Sequence, residues 1–418
     1  MAELIPLEEA RAIVLAHTSP LAAETVDIVE ASGRVAAADI TADIDNSPFA
    51  HAAMDGFAVR AEQLACASAD SPVELDVVAE VAAGSVFDGE LDDTQCVRIM
   101  TGAPLPACAD SVVKYEVVDV VEGDGKTGSR VAFRAPAAPG ANVRSAGEEA
   151  HAGDVIVTAG EVINSAGVGF LAGCGATRVL TYRRPRVAII ATGSELVAPE
   201  AVPPRGKIRN SNSASLAACV ASVGAVPSVL GIVEDDYDVL AEAVRSAAAS
   251  YDCVLTTGGA AHGDYDFIER VVSALGQTYV TAINMRPGKA ETYGHVDGTA
   301  VFGLPGNPAA AYMGFQMLVR PALRKMQGYS HFELARVQAT LACDVTAKKD
   351  ARMTLMRAVI EKRDGSYVVC PLKKQSSGLF GPLQRSNALI RLERGDVGHA
   401  AGERVECVLL DVSEDSAL

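Results

Sequence analysis

The sequence predicts a multidomain α/β plus β protein. A central, mostly parallel α/β sheet domain is expected between a β-rich N-terminal module and a small C-terminal β-barrel. The chain has 418 residues, of which 49% are hydrophobic; this exceeds the size at which one core keeps growing and favours two to four domains. Strand-like and helical runs alternate from residue 186 to 326, as is typical of a parallel sheet covered by helices. Short β-like runs with Gly-, Pro- and Asp-rich turns flank that segment.

The N-terminal part combines helices with a β-rich module. Apolar residues at helical spacing predict an amphipathic helix over 6–17 and another helix over 166–171. Strand-like runs occur at 73–78, 96–100, 111–115 and 130–133. We therefore expect a helical and linking domain over 1–45 and 141–182, and a β-rich domain over 46–140.

The segment 183–328 is predicted to form the α/β domain. We expect strands at 187–191, 228–233, 252–256 and 300–304, and helices at 213–223, 238–249, 267–275 and 308–326. Asn212 or Ser213 is the expected cap of the first of these helices. Right-handed crossovers bring the carboxyl ends of successive strands to one edge of the sheet, where ligands of such sheets bind.

Residues 329–418 return to a β pattern. Strands are predicted at 337–345, 353–361, 366–371, 387–392 and 404–412, and Asp364-Gly365 is a hairpin signal. These strands predict a small barrel, with a sandwich as the alternative.

The composition excludes several classes of protein. The 36 basic and 53 acidic residues give a net charge of −17, which disfavours nucleic acid and anionic membranes as partners. No apolar stretch reaches the length of a membrane span, and the N-terminus lacks the pattern of a signal peptide. The nine cysteines include no C-x-x-C pair, which argues against a disulfide framework and a structural zinc site. We expect a cytoplasmic protein that binds small molecules.

Three glycine-containing loops are expected at the carboxyl edge of the α/β sheet. They are Thr192-Gly-Ser-Glu-Leu, Thr256-Thr-Gly-Gly with the following Asp264 and Asp266, and Leu304-Pro-Gly-Asn-Pro. Taken alone, the second loop is equally consistent with a tight turn before a capped helix. Because the three loops converge, they favour a ligand site in which glycines admit a close backbone and carboxylates hold a hard cation. Glu195 is either a metal ligand or a cap of the following turn.

Cationic and helix-terminal groups add a candidate anion site. Pro308 suits the first helical position and Asn307 the cap, so unpaired N–H groups are expected to face an anion above the sheet. Arg286 and Lys289 flank a Pro-Gly turn, which is either an oxyanion site or a solvated turn. The strings around Asp55 and Thr101 are interpreted as turns.

Together, in this order, these strings resemble the molybdopterin molybdenumtransferases, the family that includes the E domain of gephyrin. The resemblance extends over nearly the whole chain and rests on seven motifs: Met-Asp-Gly at 54–56, Arg98-Ile-Met-Thr-Gly-Ala-Pro, Gly147-Glu-Glu with Ala152-Gly-Asp, Arg184-Pro-Arg-Val through Thr192-Gly-Ser-Glu-Leu, Gly258-Gly with Gly263-Asp-Tyr-Asp, Arg286-Pro-Gly-Lys, and Gly303-Leu-Pro-Gly-Asn-Pro. It implies insertion of molybdenum from molybdate into adenylylated molybdopterin, with Mg²⁺-dependent release of AMP. It also implies a homodimer of four-domain subunits, with an active site shared between subunits. The upstream adenylyltransferase and downstream molybdoenzymes are possible protein partners.

The resemblance also implies roles for individual residues. The acidic and hydroxyl residues of the site would be Asp55, Thr101, Glu195, Asp264 and Asp266, with Glu195, Asp264 and Asp266 as the metal ligands. Gly258, Gly259, Gly306 and Asn307 would line the pterin-nucleotide pocket. The groups on the molybdate side would be Arg286, Lys289, Pro305, Arg352 and Ser377.

The chain departs from the family pattern in several places. Ala50-His-Ala-Ala precedes Asp55 where the family has polar residues, Arg286 stands where Lys is common, and Ala260-Ala-His262 replaces Val-Ser-Val. His262 is either a surface residue or a phosphate contact. Two other functions stay open from the sequence: adenylylation of molybdopterin, and a non-catalytic scaffold comparable to gephyrin.

Overall fold

The structure, a computed structural model, describes residues 4–258, 267–346 and 351–410. The chain divides into two compact units. The first unit contains the residues up to Glu24, the segment Gly33–Ala37 and the chain from Leu180 onward; the second contains Thr25–Ser32 and Ala38–Val179. Among the described residues, no helix is long and apolar enough to span a bilayer.

The first helix, α1 (Leu7–Ala16), confirms the predicted N-terminal helix and buries Leu7, Ala10 and Val14. Strand β1 (Ala23–Asp27) follows. The second unit then contributes ten strands, two short 3₁₀ turns and one helix. These are β2 (Ile40–Thr41), β3 (His51–Ala52), β4 (Gly56–Val59), the turn Ala61–Leu64, β5 (Val73–Val81), β6 (Gln95–Ile99), β7 (Ser111–Lys114), the turn Tyr115–Val117, β8 (Val118–Glu122), β9 (Arg130–Phe133), β10 (Val143–Arg144), β11 (Val155–Val157) and α2 (Ser165–Gly173).

Six of these strands form one mixed sheet in the order β7-β4-β6-β5-β9-β8, which confirms a β-rich module. Phe57, Val59, Leu75 and Phe133 belong to its core. Position 56, the glycine of the Met-Asp-Gly string, has no room for a side chain. A Cβ there would lie 2.1 Å from the carbonyl oxygen of Val113 on the neighbouring strand.

The first unit resumes with the α/β domain. Its elements are β12 (Arg178–Tyr182), β13 (Arg186–Thr192), β14 (Leu196–Val197), β15 (Ile208–Arg209), α3 (Ser211–Ser222), β16 (Val226–Val233), α4 (Tyr237–Ala248), β17 (Cys253–Thr257), α5 (Phe267–Leu275), β18 (Gly276–Val280), β19 (Met285–Arg286), β20 (Thr292–Val296), β21 (Thr299–Leu304), α6 (Pro308–Gly314), a π-helical turn (Phe315–Val319) and α7 (Arg320–Met326). The sheet order is β16-β13-β17-β21-β20-β18.

The first four strands of this sheet are parallel, whereas β20 and β18 add antiparallel strands at one side. The sequence pattern predicted the parallel strands but missed these two. It also placed the cap of α3 too late: Asn210 is the cap, and its side chain accepts a hydrogen bond from Ser213 N. The predicted long helix over 308–326 is present, with the π-helical turn in its middle.

The remaining elements form the C-terminal barrel. They are β22 (Arg336–Leu341), β23 (Val345–Thr346), β24 (Met353–Arg363), β25 (Ser366–Pro371), α8 (Gly381–Gln384), β26 (Ala388–Leu392), β27 (Gly398–His399) and β28 (Arg404–Leu409). Strands β24-β25-β22-β28-β26 close on themselves because β26 also pairs with β24, and β19 adds to β24. A barrel, rather than the alternative sandwich, is therefore confirmed. The hairpin at Asp364-Gly365 is also confirmed, and both residues have positive φ.

Candidate active site

The carboxyl ends of the parallel strands meet at one edge of the α/β sheet, as the alternation predicted. Thr192 pairs with Val233, Ala191 with Thr257, and Thr257 with Leu304. A cavity of about 1900 Å³ opens at this edge. The predicted site residues that line it are Glu195, Gly258, Arg286, Lys289, Pro305, Gly306, Asn307, Arg352 and Ser377.

Gly258 is required by a close backbone approach. Its φ is +95°, and a Cβ there would lie 2.0 Å from the carbonyl oxygen of Thr192. Its N–H donates to the carbonyl of Leu304 at 3.2 Å. The three loops are thus packed backbone to backbone, and the floor of the cavity at this point consists of main-chain atoms.

Asn212, which the sequence analysis considered only as a helix cap, connects these loops. Its Nδ2 donates to Thr257 Oγ1 at 2.8 Å and to the carbonyl oxygen of Gly306 at 2.9 Å. Thr257 Oγ1 in turn donates to the carbonyl of Pro305 at 3.2 Å. Asn212 is 9% exposed, and its Oδ1 has no hydrogen-bond partner among the described residues. The side chain fixes the spacing of two loops and leaves one buried acceptor unused.

Asp235 is a site residue that the sequence analysis missed. Its Oδ1 accepts from Thr192 Oγ1 at 2.7 Å and its Oδ2 from Ser194 N at 2.8 Å. The carboxylate therefore holds the loop that carries Glu195, and both acids line the cavity. The signal was present in the sequence, since the acidic run Glu234–Asp236 directly follows a parallel strand at the edge where ligands bind.

Among the described residues, four acids line the cavity, and all come from the loops after β13 and β16: Glu195, Glu234, Asp235 and Asp236. Two cations accompany them. Lys207 donates through Nζ to the carbonyl of Ser194, and Arg209 through Nε to that of Ala201 at 2.9 Å. We call this part of the cavity the acidic side.

A second part of the lining, which we call the basic side, contains cations and no acid among its described residues. It comprises residues 286–290, Thr346, Arg352, residues 354–356 and residues 375–378. Arg286 pairs with Thr354 in a parallel bridge between β19 and β24, and Lys289 follows within the same turn. The bridge therefore brings the turn and the start of strand β24 to one wall of the cavity.

The N-terminus of α6 does not present the unpaired N–H groups that the sequence predicted. Pro308 has no N–H, Ala309 N donates to the carbonyl of Ser377 at 2.8 Å, and Ala310 N donates to the carbonyl of Asn307 at 3.0 Å. Asn307 occupies the cap position but makes no side-chain cap hydrogen bond. The prediction of an anion held by these first N–H groups is wrong, because a barrel loop satisfies one and the turn itself satisfies the next.

Asp55 and Thr101 lie in the second unit and contact each other. Asp55 Oδ1 accepts from Thr101 N at 2.8 Å and from Thr101 Oγ1 at 2.7 Å. These two hydrogen bonds hold the pKa of Asp55 below its ordinary value. The pair is exposed, so an ionised carboxylate with a fixed direction is offered at the surface of this unit.

Gly259, Ala260, Ala261, His262, Asp264 and Asp266 lie outside the described residues. Among the residues that are described, no group of three or more His, Cys, Asp or Glu side chains is arranged to hold a metal. Of the four described acids that line the cavity, Glu195 and Asp235 are connected through one loop and are the pair from which a cation site could be built.

Three known protein families match consecutive parts of the chain. The "MoeA N-terminal region (domain I and II)" family matches residues 5–175, the "Probable molybdopterin binding domain" family residues 188–325, and the "MoeA C-terminal region (domain IV)" family residues 338–410. A molybdopterin molybdenumtransferase of Staphylococcus aureus (strain COL) is 34% identical over 417 residues, covering 99% of this chain and 98% of that protein. One of Staphylococcus epidermidis (strain RP62A) is 34% identical over 387 residues, covering 92% and 91%.

The fold has solved relatives as well. Two crystal structures of a molybdopterin biosynthesis MoeA protein from Pyrococcus horikoshii match with TM-scores of 0.83 and 0.81 and identities of 31% and 30%. They cover 98% and 97% of this chain and all of the chains compared.

Proposed function

The chain belongs to the molybdopterin molybdenumtransferase family and is an enzyme of molybdenum cofactor biosynthesis; we propose how its cavity performs the reaction. We propose that the cavity binds adenylylated molybdopterin and molybdate together. Two Mo–S bonds to the dithiolene form as two Mo–O bonds of molybdate break, and the two oxygens leave as water after taking up protons from the thiols and the solvent. A water molecule cleaves the phosphoanhydride bond, so that AMP leaves and a phosphate stays on molybdopterin.

The separation of charge in the cavity carries this proposal. The acids that line it in the described part of the chain all lie on the acidic side, while Arg286, Lys289 and Arg352 lie on the basic side. A reaction that needs a cation at a phosphoanhydride and a separate site for an oxyanion requires this arrangement. A site for a nucleotide alone would not explain the acid-free basic side.

The acidic side is where Mg²⁺ would be held. Carboxylate oxygens are the hard ligands that Mg²⁺ prefers, and Glu195 and Asp235 offer them here. Asp264 and Asp266 are expected from the sequence to complete the set. When bound, the ion would neutralise negative charge on the phosphate oxygens as AMP leaves.

The rest of the acidic side would bind and orient the pterin nucleotide. Gly258 and Gly306 expose main chain without a side chain, so a flat ring or a phosphate can approach closely. Lys207 and Arg209 line the same side and would pair with phosphate oxygens. Asn212, which does not itself line the cavity, would hold the loops of Thr257 and Gly306 at the spacing that the ligand needs.

The basic side would bind molybdate. Arg286 and Arg352 supply planar, directional donors and Lys289 a compact charge. A divalent oxyanion is thereby held close to the dithiolene while its negative charge is offset. Pro305 and Ser377 would complete the wall.

We assign Asp55 and Thr101 to the same reaction, contributed by the second copy in a homodimer. Family resemblance supports this, as does the exposed Asp55 carboxylate, which two hydrogen bonds from Thr101 hold in place. A mixing experiment tests this assignment: the Asp55→Ala and Asp235→Asn variants are each expected to be inactive alone. On random mixing about half of the dimers are mixed and each contains one intact site of two, so the mixture should regain about a quarter of the wild-type activity. No recovery would place Asp55 in the same subunit's site, and an active Asp55→Ala variant would place it outside the reaction.

The activity itself is tested with adenylylated molybdopterin, molybdate and Mg²⁺. We expect AMP release coupled to molybdenum incorporation, and neither product without the divalent ion. Consumption of ATP with free molybdopterin would favour the adenylyltransferase, and pterin binding without AMP release would favour a scaffold. The cytoplasmic location, the protein partners and the four-domain division stay predictions.

A further inference from the structure

Arg357 has an unusual environment for a charged side chain. It lies on β24, is 1% exposed, and is the largest side chain that the structure buries completely. Its guanidinium donates to the carbonyl oxygens of Ser376 at 3.1 Å, Lys374 at 3.3 Å and Leu379 at 3.4 Å. All three acceptors belong to one loop, residues 374–379.

This buried cation has no acidic partner in the described part of the chain. No carboxylate of the described residues forms an ion pair with Arg357, and burial alone accounts for the lowering of its pKa. An arginine remains protonated in any protein environment. Burying a charge among neutral dipoles alone costs on the order of several kcal/mol of folding free energy. A fold that keeps such a charge is expected to use it in function.

The loop that Arg357 holds is part of the basic side of the cavity. Gln375, Ser376, Ser377 and Gly378 line the cavity, and the carbonyl of Ser377 accepts from Ala309 N at the start of α6. Gln375 fixes the same loop independently, through hydrogen bonds to the main chain of Arg357 at 3.0 and 2.8 Å. The loop therefore keeps the hydrogen bonds of Gln375 when the guanidinium is absent. The contribution of Arg357 is thus not limited to holding the loop.

We propose that Arg357 is a positioning residue for the oxyanion substrate: it shapes the 374–379 loop and places a buried positive charge behind the wall against which molybdate binds. The side chain does not touch the substrate. Its charge acts through the loop, in a region of low dielectric where electrostatic attraction extends further than in water. The proposal rests on the assignment of molybdate to the basic side.

The test separates charge from shape. Arg357→Met removes the charge and keeps the aliphatic length, while Arg357→Lys keeps the charge and loses the forked donor. Arg391→Met is the matched control, because Arg391 is a mostly buried barrel arginine that is paired with Glu8 and Glu393 and does not line the cavity. Calorimetry with sodium molybdate and with AMP, on the full-length protein, gives the two affinities.

We expect Arg357→Met to weaken molybdate binding about tenfold, Arg357→Lys by about threefold or less, and Arg391→Met not at all. AMP affinity should stay unchanged in all three. In the full reaction, Arg357→Met should raise the KM for molybdate with kcat nearly constant. The increase in Tm that molybdate produces should also shrink, whereas a purely structural staple would lower the Tm equally with and without molybdate.

Equal losses in the Met and Lys variants would overturn the role of charge, and unchanged molybdate affinity in Arg357→Met would overturn the inference altogether. If the Met variant does not fold, Arg357→Gln provides the neutral side chain. Lys289→Met distinguishes the two proposals. If both Lys289→Met and Arg357→Met leave molybdate affinity unchanged, the basic side is not the oxyanion site. If Lys289→Met weakens molybdate binding and Arg357→Met does not, only the role of Arg357 fails.

Discussion

The acidic and basic sides of the cavity are built by different means. On the acidic side, contacts of the main chain determine the geometry. Gly258 packs against the carbonyl of Thr192, and the carboxylate of Asp235 accepts hydrogen bonds from Ser194 N and Thr192 Oγ1. On the basic side, side-chain cations project from a turn and from a barrel strand. The difference suggests that damage to the first side disturbs geometry and chemistry together, while damage to the second reduces affinity for an anion.

The largest effect should come from Asp235→Asn. The amide cannot hold a divalent cation as a carboxylate does, and it weakens the hydrogen bonds to Thr192 and Ser194. We expect AMP release to fall by about 100- to 1000-fold. Asp238→Asn, on the exposed face of α4, is the control and should retain nearly full activity. Retention of activity by the Asp235 variant would remove that residue from the reaction.

Gly258→Ala should damage the acidic side through the fold. The new Cβ would collide with Thr192 O at a φ of +95°, so we expect a loss of about 2–4 kcal/mol in the free energy of unfolding. Gly298→Ala is the matched control, with a φ of +82° and open space around the Cβ, and should cost only about 1 kcal/mol. Similar losses in chemical denaturation would show that the close approach to Thr192 is unimportant.

Glu291 sharpens the comparison, because it is an acid behind the basic side. It is 1% exposed, neither carboxyl oxygen has a partner among the described residues, and a Cβ at Gly314 would lie 2.3 Å from both oxygens. Burial raises its pKa well above the ordinary value of 4.5. The raised pKa favours the neutral form of Glu291 in the folded protein, which reduces the negative charge behind the basic side.

The sign of the resulting pH dependence follows from that pKa. Below pH 4.5 the carboxyl is protonated in both states, and its stability contribution is fully present. Above that pH only the unfolded chain releases the proton, so wild-type stability relative to Glu291→Gln should fall by about 1.4 kcal/mol per pH unit until the folded pKa is reached. Denaturant titrations from pH 4 to 8 measure this; parallel curves would mean that Glu291 is ionised in the folded protein.

The smallest effect should come from Lys289→Met. One cation of several is lost, so molybdate affinity should fall by about three- to tenfold, and more at low salt. AMP affinity should not change. Lys362→Met, on the exposed end of β24, is the control. A matching loss of AMP affinity would contradict the separation of the two sides.

The sequence predicted most of the site because the site follows from local patterns. Apolar runs located the parallel strands, and the loops after them carried Glu195, Gly258 and Asn307 to one edge. The family resemblance added Arg352 and Ser377, whose roles depend on contacts across domains that no local pattern records. The assignments of individual residues stay predictions.

What the sequence missed depends on contacts that are distant along the chain. The hydrogen bond from Ala309 N to the carbonyl of Ser377 forms only because a barrel loop nearly seventy residues further along the chain contacts α6. Asn212 resembles a helix cap in sequence, and only the fold shows that its amide joins Thr257 to Gly306. The antiparallel strands β18 and β20 were missed because no helix separates them from each other or from β21, so they interrupt an otherwise regular alternation.

The π-helical turn at Phe315–Val319 sets the rotational phase of the helix that begins at the cavity. Each residue of an α-helix rotates the next side chain by about 100°, and a π turn includes one residue more per hydrogen-bonded ring. The faces of α6 and α7 are therefore offset: α6 packs against α3 and β21, while α7 packs against α1. One uninterrupted helix thus serves two different neighbours, and deletion of a single residue in the turn would rotate α7 away from its partner.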